Sequence, residues 1–173
     1  MSNKMRTQSR ELPDRRKAFK RMGKWLLAGG GTLTVAYFAL GREGPIDEWV
    51  SIGLIRDLPA GEFQSRQVTV TARGNWFNQQ VDRVVWLRRN PDETVTVLSG
   101  MCPHMNYTIN VWDKTSGTFR CPGHKSAFDS KGRVLAGPSP RPMDALEQKV
   151  EGGVIMVRYQ KFKKNIPTRE LFA

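Results

Sequence analysis

Short runs of alternating apolar and polar residues fill the C-terminal two thirds of this chain. In the first run, Val68 and Val70 alternate with Thr69 and Thr71. Strands are predicted over 67–72, 82–88, 94–98, 107–112, 118–120, 133–135, 146–150 and 154–159. Turns at 116–117, 131–132 and 152–153 contain glycine, which favours tight reversals between strands. Residues 46–58 fit either a short helix or a first strand. The pattern predicts a mainly β fold, an antiparallel sandwich or small barrel.

An uncharged stretch of 17 residues, 25–41, follows a polar N-terminus. A bilayer span needs about 17–25 apolar residues, so this stretch is short, and three consecutive glycines at 29–31 dilute it. It is either a transmembrane helix or the hydrophobic region of an export signal. Because no clear small-x-small cleavage site follows, we expect one uncleaved hydrophobic helix over 25–40 that anchors the chain.

The basic residues are concentrated ahead of this stretch. The whole chain carries a net charge of +12, and residues 1–24 contribute +7 of it, from nine Lys or Arg and two Asp or Glu. Arg15 and Arg16, followed by Phe19, resemble a twin-arginine export signal; the alternative is a generic basic flank. The positive-inside rule keeps this segment in the cytoplasm and places the rest on the periplasmic side of a bacterial inner membrane. No nucleic-acid motif accompanies the charge, so we expect no nucleic-acid partner.

These patterns divide the chain into five segments. The expected order is a basic cytoplasmic N-terminus over 1–24, an anchor over 25–40, a linker or hinge with the first element over 41–60, a β domain over 61–160 and a C-terminal tail over 161–173. The tail starts with a basic run and carries no motif, so the sequence assigns it no role.

All the cysteines and histidines of the chain, two of each, lie within 23 residues. Cys102-Pro103-His104 is followed, after sixteen residues, by Cys121, Pro122, Gly123 and His124. Each half supplies one thiolate and one imidazole from a tight loop, and the proline after each cysteine restricts the local backbone. Two such loops facing each other would form a site with two sulfur and two nitrogen donors.

Several interpretations of this donor set are open. A disulfide would leave both histidines unexplained. A structural zinc site takes two cysteines and two histidines, but zinc fingers usually pair cysteine with cysteine along the chain, and copper prefers one cysteine with two histidines. A Rieske [2Fe–2S] cluster takes two cysteines on one iron and two histidines on the other. Loops that each supply one donor of each type suit this cluster best.

The two loops resemble the two cluster-binding boxes of the Rieske family, and residues 137–143 resemble the proline-rich loop that covers the cluster in Rieske subunits of cytochrome bc complexes. The resemblance implies a Rieske-type β fold with a cluster-binding subdomain and one [2Fe–2S] cluster. It implies a hydrogen bond from Ser126 to a bridging sulfide. The implied cluster ligands are Cys102, His104, Cys121 and His124.

The resemblance also implies a function, electron transfer as the iron–sulfur subunit of a quinol-oxidising cytochrome bc-type complex in the membrane. The partners would be a cytochrome b-type subunit and a c-type cytochrome, so the chain would be part of an oxidoreductase rather than a stand-alone enzyme. His124 would hydrogen-bond the quinol with His104 beside it, and the domain would swing about residues 41–45. A Rieske ferredoxin, or the small subunit of another oxidoreductase of the oxygenase or arsenite oxidase type, is the open alternative.

Three positions depart from the family pattern. Rieske subunits of cytochrome bc complexes usually carry a further cysteine in each box, and the two form a disulfide; the matching residues here are Tyr107 and Gly123, which favours the ferredoxin alternative. Lys125 stands where a glycine is usual. Phe128 stands where high-potential members often have a tyrosine that hydrogen-bonds a cysteine sulfur. Losing that donor predicts a lower reduction potential, which would suit a low-potential quinol such as menaquinol.

Overall fold

The computed structural model describes residues 44–74 and 77–172. The predicted anchor over 25–40 and the twin-arginine-like segment lie outside these residues. No helix in the described ranges has the length and apolar character that a bilayer crossing requires. The described residues form antiparallel strands with one 3₁₀ turn, Ile55–Asp57, so the prediction of a mainly β antiparallel fold is confirmed.

The strands are short, as the sequence pattern predicted. They are β1 Asp47–Leu54, β2 Gln64–Ala72, β3 Gln79–Arg89, β4 Val95–Ser99, β5 Val111–Asp113, β6 Thr118–Arg120, β7 Ala127–Phe128, β8 Val134–Ala136, β9 Glu147–Glu151 and β10 Val154–Gln160. In the described ranges they make three sheets, with strand orders β1-β10-β9, β2-β3-β4 and β5-β6-β7-β8.

The first two sheets share one apolar core. In β2 the buried residues Val68, Val70 and Ala72 alternate with more exposed threonines, as a strand with one covered face requires. They meet buried residues of the other sheet, among them Val157 and Tyr159 of β10. These two packed sheets, called the base from here on, support the third sheet, whose strands come between β4 and β9 along the chain.

The third sheet has its own apolar core, and this core includes both cysteines. Its buried members are Phe63, Trp86, Leu98, Cys102, Ile109, Phe119, Cys121, Phe128 and Met143. The Trp86 indole N–H donates to the Ile109 carbonyl at 2.8 Å, which ties the base to the inserted subdomain. The cysteines therefore stand on packed aromatic and aliphatic side chains.

One sequence expectation is corrected here, and one open alternative is resolved. The strand predicted over 107–112 is only Val111–Asp113, because the Tyr107 carbonyl turns back to accept a hydrogen bond from the Cys102 amide at 2.9 Å. The segment 46–58 is β1 followed by the 3₁₀ turn, and β1 pairs with β10. Strand β7 was not predicted, since two residues are too few to show a period.

The start of the described chain is fixed to the domain. The Arg73 amide donates to the Pro45 carbonyl and the Lys161 amide to the Ile46 carbonyl, each at 3.0 Å. A Cβ on Gly44 would overlap the Arg73 carbonyl oxygen, so only glycine fits there. Gly44 and Pro45, the last two residues of the hinge predicted over 41–45, are therefore held by the domain, and residues 41–43 lie outside the described residues.

Candidate metal centre

Loop 1, residues 102–107, leaves β4 and doubles back on itself. The Cys102 amide donates to the Tyr107 carbonyl at 2.9 Å, and the Asn106 amide donates to the Cys102 carbonyl at 2.8 Å. Asn106 adopts φ = 58°, a left-handed conformation that asparagine tolerates better than most residues. The turn holds His104 and Cys102 on the same short segment.

Loop 2, residues 121–126, joins β6 to β7 and repeats this geometry. The Cys121 amide donates to the Ser126 carbonyl at 2.9 Å, again five residues on, and Lys125 adopts φ = 59°. Lys125 is four residues after its cysteine, as Asn106 is in loop 1. The left-handed φ explains why glycine suits this position, and the lysine here is held against its steric preference.

The structure brings the two thiols together at the inner end of the site. Cys102 and Cys121 are 0% and 3% exposed, both are free thiols, and their side chains hydrogen-bond each other. Burial raises the pKa of the Cys102 thiol to about 11, although the backbone amides of His104 and Met105 donate to its sulfur. The Cys102 thiol therefore keeps its proton at pH 7, and metal binding has to release it.

The two imidazoles come together at the outer end. The His104 and His124 rings lie 4.7 Å apart between centroids, at an interplanar angle of 83°. His124 is exposed, whereas His104 is half-buried. The His104 Nδ1 atom is buried and has no hydrogen-bond partner, so this nitrogen faces inward and Nε2 is left to face the surface.

A second buried polar atom lacks a partner beside the thiols. Ser126 is 0% exposed, and its Oγ makes no hydrogen bond. An unsatisfied buried hydroxyl or imidazole nitrogen costs roughly 1–3 kcal/mol, so two such atoms in one small site call for an explanation. A bound group that accepts from Ser126 and takes a lone pair from His104 would satisfy both.

The donor arrangement fits a two-iron cluster. In residues 44–74 and 77–172, no three His, Cys, Asp or Glu side chains converge where they would ligate a single metal ion. The four donors instead form a thiol pair and an imidazole pair. A Rieske cluster takes two cysteines on one iron and two histidines on the other. The pairing and the two unsatisfied atoms therefore fit a [2Fe–2S] group.

The proline-rich loop packs directly against loop 2. Gly137 adopts φ = 89°, and a Cβ there would lie 2.5 Å from the Ser126 Cα, so only glycine permits this approach. Further along, Ser139 Oγ donates to the Arg141 carbonyl at 2.9 Å. Arg141 forms a buried ion pair with Asp144, 2.9 Å between Nη2 and Oδ2.

The C-terminal segment, residues 161–172, was missed as part of the site. Its Asn165 amide donates to the Pro103 carbonyl in loop 1 at 2.8 Å, and its Ile166 carbonyl accepts from Arg141 Nη1 at 2.9 Å. The segment thus contacts both loop 1 and the proline-rich loop. The arginine inside the proline-rich run, three residues before Asp144, is the one signal in the sequence that could have indicated a buried ion pair here.

Comparisons with known proteins agree on the family. The Rieske [2Fe–2S] domain profile matches residues 48–156. The cytochrome b6-f complex iron-sulfur subunit of Chlorobaculum tepidum is 27% identical over 108 residues, covering 62% of this chain and 52% of that protein. The chloroplastic subunit of Bigelowiella natans is 33% identical over 60 residues, 35% of this chain and 23% of that protein. This chain spans about half the length of the first of these relatives and less of the second.

Solved structures similar to this chain come from more than one functional class. The cyanobacterial plasma membrane Rieske protein of Synechocystis PCC 6803 has a TM-score of 0.44 and 25% identity, covering 64% of this chain and 99% of that one. The ferredoxin of carbazole 1,9a-dioxygenase from Nocardioides aromaticivorans has a TM-score of 0.38 and 24% identity, covering 66% of this chain and 96% of that one. The family profile covers more than half of the chain, so this protein belongs to the Rieske [2Fe–2S] family, whose domain carries one [2Fe–2S] cluster.

Proposed function

We propose that this chain is an electron-transfer protein in which Cys102 and Cys121 ligate one iron of the cluster and His104 and His124 ligate the other. The observation that carries this proposal is the division of the donors, with two buried thiols in contact and two adjacent imidazoles toward the surface. When bound, the cluster supplies a one-electron acceptor of higher potential than a four-cysteine cluster, about −150 to +300 mV.

The chain's own residues define what the site does with a substrate. Exposed His124 offers an imidazole nitrogen at the surface, which can accept a hydrogen bond and then a proton from a quinol hydroxyl. Half-buried His104 lies beside it, and its Nδ1 is buried without a hydrogen-bond partner, which leaves Nε2 for the surface. The apolar side chains around the cysteines exclude water from the sulfur end, and the buried, unpartnered Ser126 hydroxyl would donate a hydrogen bond to the cluster.

We further propose that the electron donor is a quinol and that the chain is the iron–sulfur subunit of a cytochrome bc-type complex. The similarity to cytochrome b6-f iron-sulfur subunits supports this, as do the proline-rich loop against loop 2 and the N-terminal hydrophobic stretch. The partners would be a cytochrome b-type subunit and a c-type cytochrome. The domain would lie on the periplasmic side of a bacterial inner membrane, held by an anchor over 25–40.

A Rieske ferredoxin or the small subunit of another oxidoreductase is the second candidate. The observation that favours it is the absence of the usual disulfide positions, since Tyr107 and Gly123 stand there. A soluble ferredoxin would accept electrons from a reductase rather than from a quinol, so the two candidates differ in both location and donor.

The cluster is tested first, by iron and acid-labile sulfide analysis of the anaerobically purified full chain and by the electron paramagnetic resonance signal of the reduced protein. We expect two irons and two sulfides per chain. A colourless protein that holds zinc, or one that holds no metal after anaerobic reconstitution, would refute the cluster.

The complex is tested next, by tagging the full chain in its native host and purifying it from detergent-solubilised membranes. We expect b-type and c-type haem spectra in the eluate, and quinol-dependent reduction of the c-type haem. A variant lacking residues 1–42 should leave the membrane fraction. If the tagged full chain instead purifies alone from the soluble fraction and is reduced by a flavoprotein reductase, the ferredoxin candidate replaces the bc-type complex.

A further inference from the structure

The Tyr107 side chain crosses from loop 1 to loop 2. A Cβ built on Gly123 would lie 2.7, 2.8 and 3.1 Å from Cγ, Cδ2 and Cδ1 of the Tyr107 ring. Contacts this short are not tolerated, so the ring rests directly on the Gly123 backbone and any larger residue would displace it. Gly123 does not have a left-handed φ, so the position needs glycine for space rather than for backbone conformation.

The same ring also contacts a predicted ligand. Tyr107 and His124 lie 5.5 Å apart between ring centroids at 88°, an edge-to-face geometry that aromatic rings favour. His124 in turn packs edge-on against His104 at 4.7 Å. Three rings from two loops thus form one row at the outer end of the site.

The Tyr107 backbone is tied to the inner end. Its carbonyl accepts the Cys102 amide at 2.9 Å, the hydrogen bond that closes loop 1. One residue therefore connects the backbone of a cysteine in loop 1 with a histidine ring in loop 2. The ring is 51% exposed, so it remains at the surface and is not part of the buried core.

We propose that Tyr107 is a positioning residue, a noncovalent clamp that holds loop 2 and the His124 ring against loop 1 through its contact with Gly123. This proposal rests on the proposed cluster and adds the means by which the two loops are held together without a disulfide. Because the clamp contains no sulfur, it closes in reducing as well as oxidising surroundings. Cluster retention in this protein is therefore independent of dithiol reductants.

Four variants of the full chain test the clamp. Tyr107→Ala removes the ring, Gly123→Ala displaces it, and Tyr107→Phe keeps the ring without its hydroxyl. Tyr107→Cys combined with Gly123→Cys replaces the clamp with a disulfide. The Tyr107 Cγ lies 2.7 Å from the Cβ site of residue 123, so the two Cβ atoms are at most about 4.2 Å apart, which is below the upper limit for a disulfide. Trp49→Ala, which removes an exposed aromatic ring on β1, is the matched control.

The first measurement is the rate of cluster bleaching under a fixed concentration of iron chelator, with the linewidth of the reduced paramagnetic signal recorded in parallel. An aromatic contact of ordinary strength changes such a rate by about two- to tenfold. We expect Tyr107→Ala and Gly123→Ala to bleach faster by about this factor with a broadened signal, and Tyr107→Phe and Trp49→Ala to match the wild type. Wild-type rates and signals in both loop variants would overturn the clamp while leaving the cluster intact.

The second measurement uses the cysteine pair and does not depend on how Tyr107→Ala folds. We expect the paired variant to form the new disulfide, detected by mass spectrometry after thiol alkylation, and to bleach at about the wild-type rate. Dithiothreitol should then accelerate bleaching of the paired variant and leave the wild type unchanged. Failure of the disulfide to form, or acceleration of the wild type by dithiothreitol, would overturn the proposal. A wild type without iron and sulfide would overturn the cluster itself.

Discussion

The Arg141 side chain is buried between the proline-rich loop and the C-terminal segment. Its Nε and Nη2 donate to the two carboxylate oxygens of Asp144 at 3.0 and 2.9 Å, and its Nη1 donates to the Ile166 carbonyl at 2.9 Å. The side chains of the pair are only 4% and 6% exposed. Arg141→Met keeps much of the apolar volume and removes all three donors.

This substitution leaves the Asp144 carboxylate buried without its countercharge. Breaking a buried pair in this way destabilises a protein by about 3–5 kcal/mol. The free energy of unfolding of a domain is about 5–15 kcal/mol, so the loss is a large fraction of the whole. With an m value of about 2 kcal/mol per M urea, the urea midpoint should fall by about 2 M, and the thermal midpoint by about 10 °C.

The chain offers a matched control at an exposed ion pair. Arg158 donates to Asp47 at 2.6 Å, but the two side chains are 36% and 38% exposed. Water and salt screen such a pair, so Arg158→Met should destabilise the protein far less than Arg141→Met does. The double variant Arg141→Met with Asp144→Leu replaces both buried charges by apolar groups and should recover most of the lost stability.

The measurement is urea and thermal unfolding of the full chain in detergent, with the cluster bound and under anaerobic conditions, followed by tryptophan fluorescence. We expect the order of midpoints to be wild type, Arg158→Met, the double variant and then Arg141→Met. If Arg141→Met and Arg158→Met fall within about 0.5 M urea of each other, the reasoning from burial is refuted. If the double variant is as unstable as Arg141→Met, the cost does not come from the stranded carboxylate.

Three further predictions concern the loops and the cluster. Phe128 is fully buried in the same apolar core as the two cysteines, so Phe128→Tyr should place a hydroxyl that donates to a cysteine sulfur. One such hydrogen bond, of about 1–2 kcal/mol, should raise the reduction potential by about 40–80 mV. Redox titration measures this, and an unchanged or lower potential contradicts it. Ser126→Ala removes the unsatisfied hydroxyl beside the thiols and should lower the potential by a similar amount in the same titration, whereas an unchanged value would mean that Ser126 does not donate to the cluster. Lys125 has φ = 59°, where β-branched residues are strained. The free energy of unfolding in urea should therefore be about 1–2 kcal/mol lower for Lys125→Val than for Lys125→Gly, and equal midpoints would refute the strain.

The strands that the sequence predicted correctly are those with a clear period and an apolar face. β2 and β10 place alternate residues in one core, so the sequence pattern and the burial pattern coincide. In β3 the consecutive residues Val85, Trp86 and Leu87 are all buried, because Trp86 packs in the second core. The pattern failed over 107–112, where Tyr107 and Ile109 suggested a strand but the backbone turns back to close loop 1. A hydrogen bond within the loop, to Cys102, outweighed strand preference there, and periodicity does not reveal such a bond.

Sequence by itself determined the chemistry of the candidate site, because each loop carries its own donors within four residues. Each loop also closes locally, through a hydrogen bond from the cysteine amide to the carbonyl five residues later. Only the tertiary structure decided how the loops meet: thiol against thiol at the buried end, imidazole against imidazole at the surface, and the Tyr107 ring on Gly123. It also decided that the C-terminal segment, which no motif marks, reaches Pro103 and Arg141. These contacts join residues distant in sequence, and their energies depend on burial and close approach, which a linear pattern of residue types does not specify.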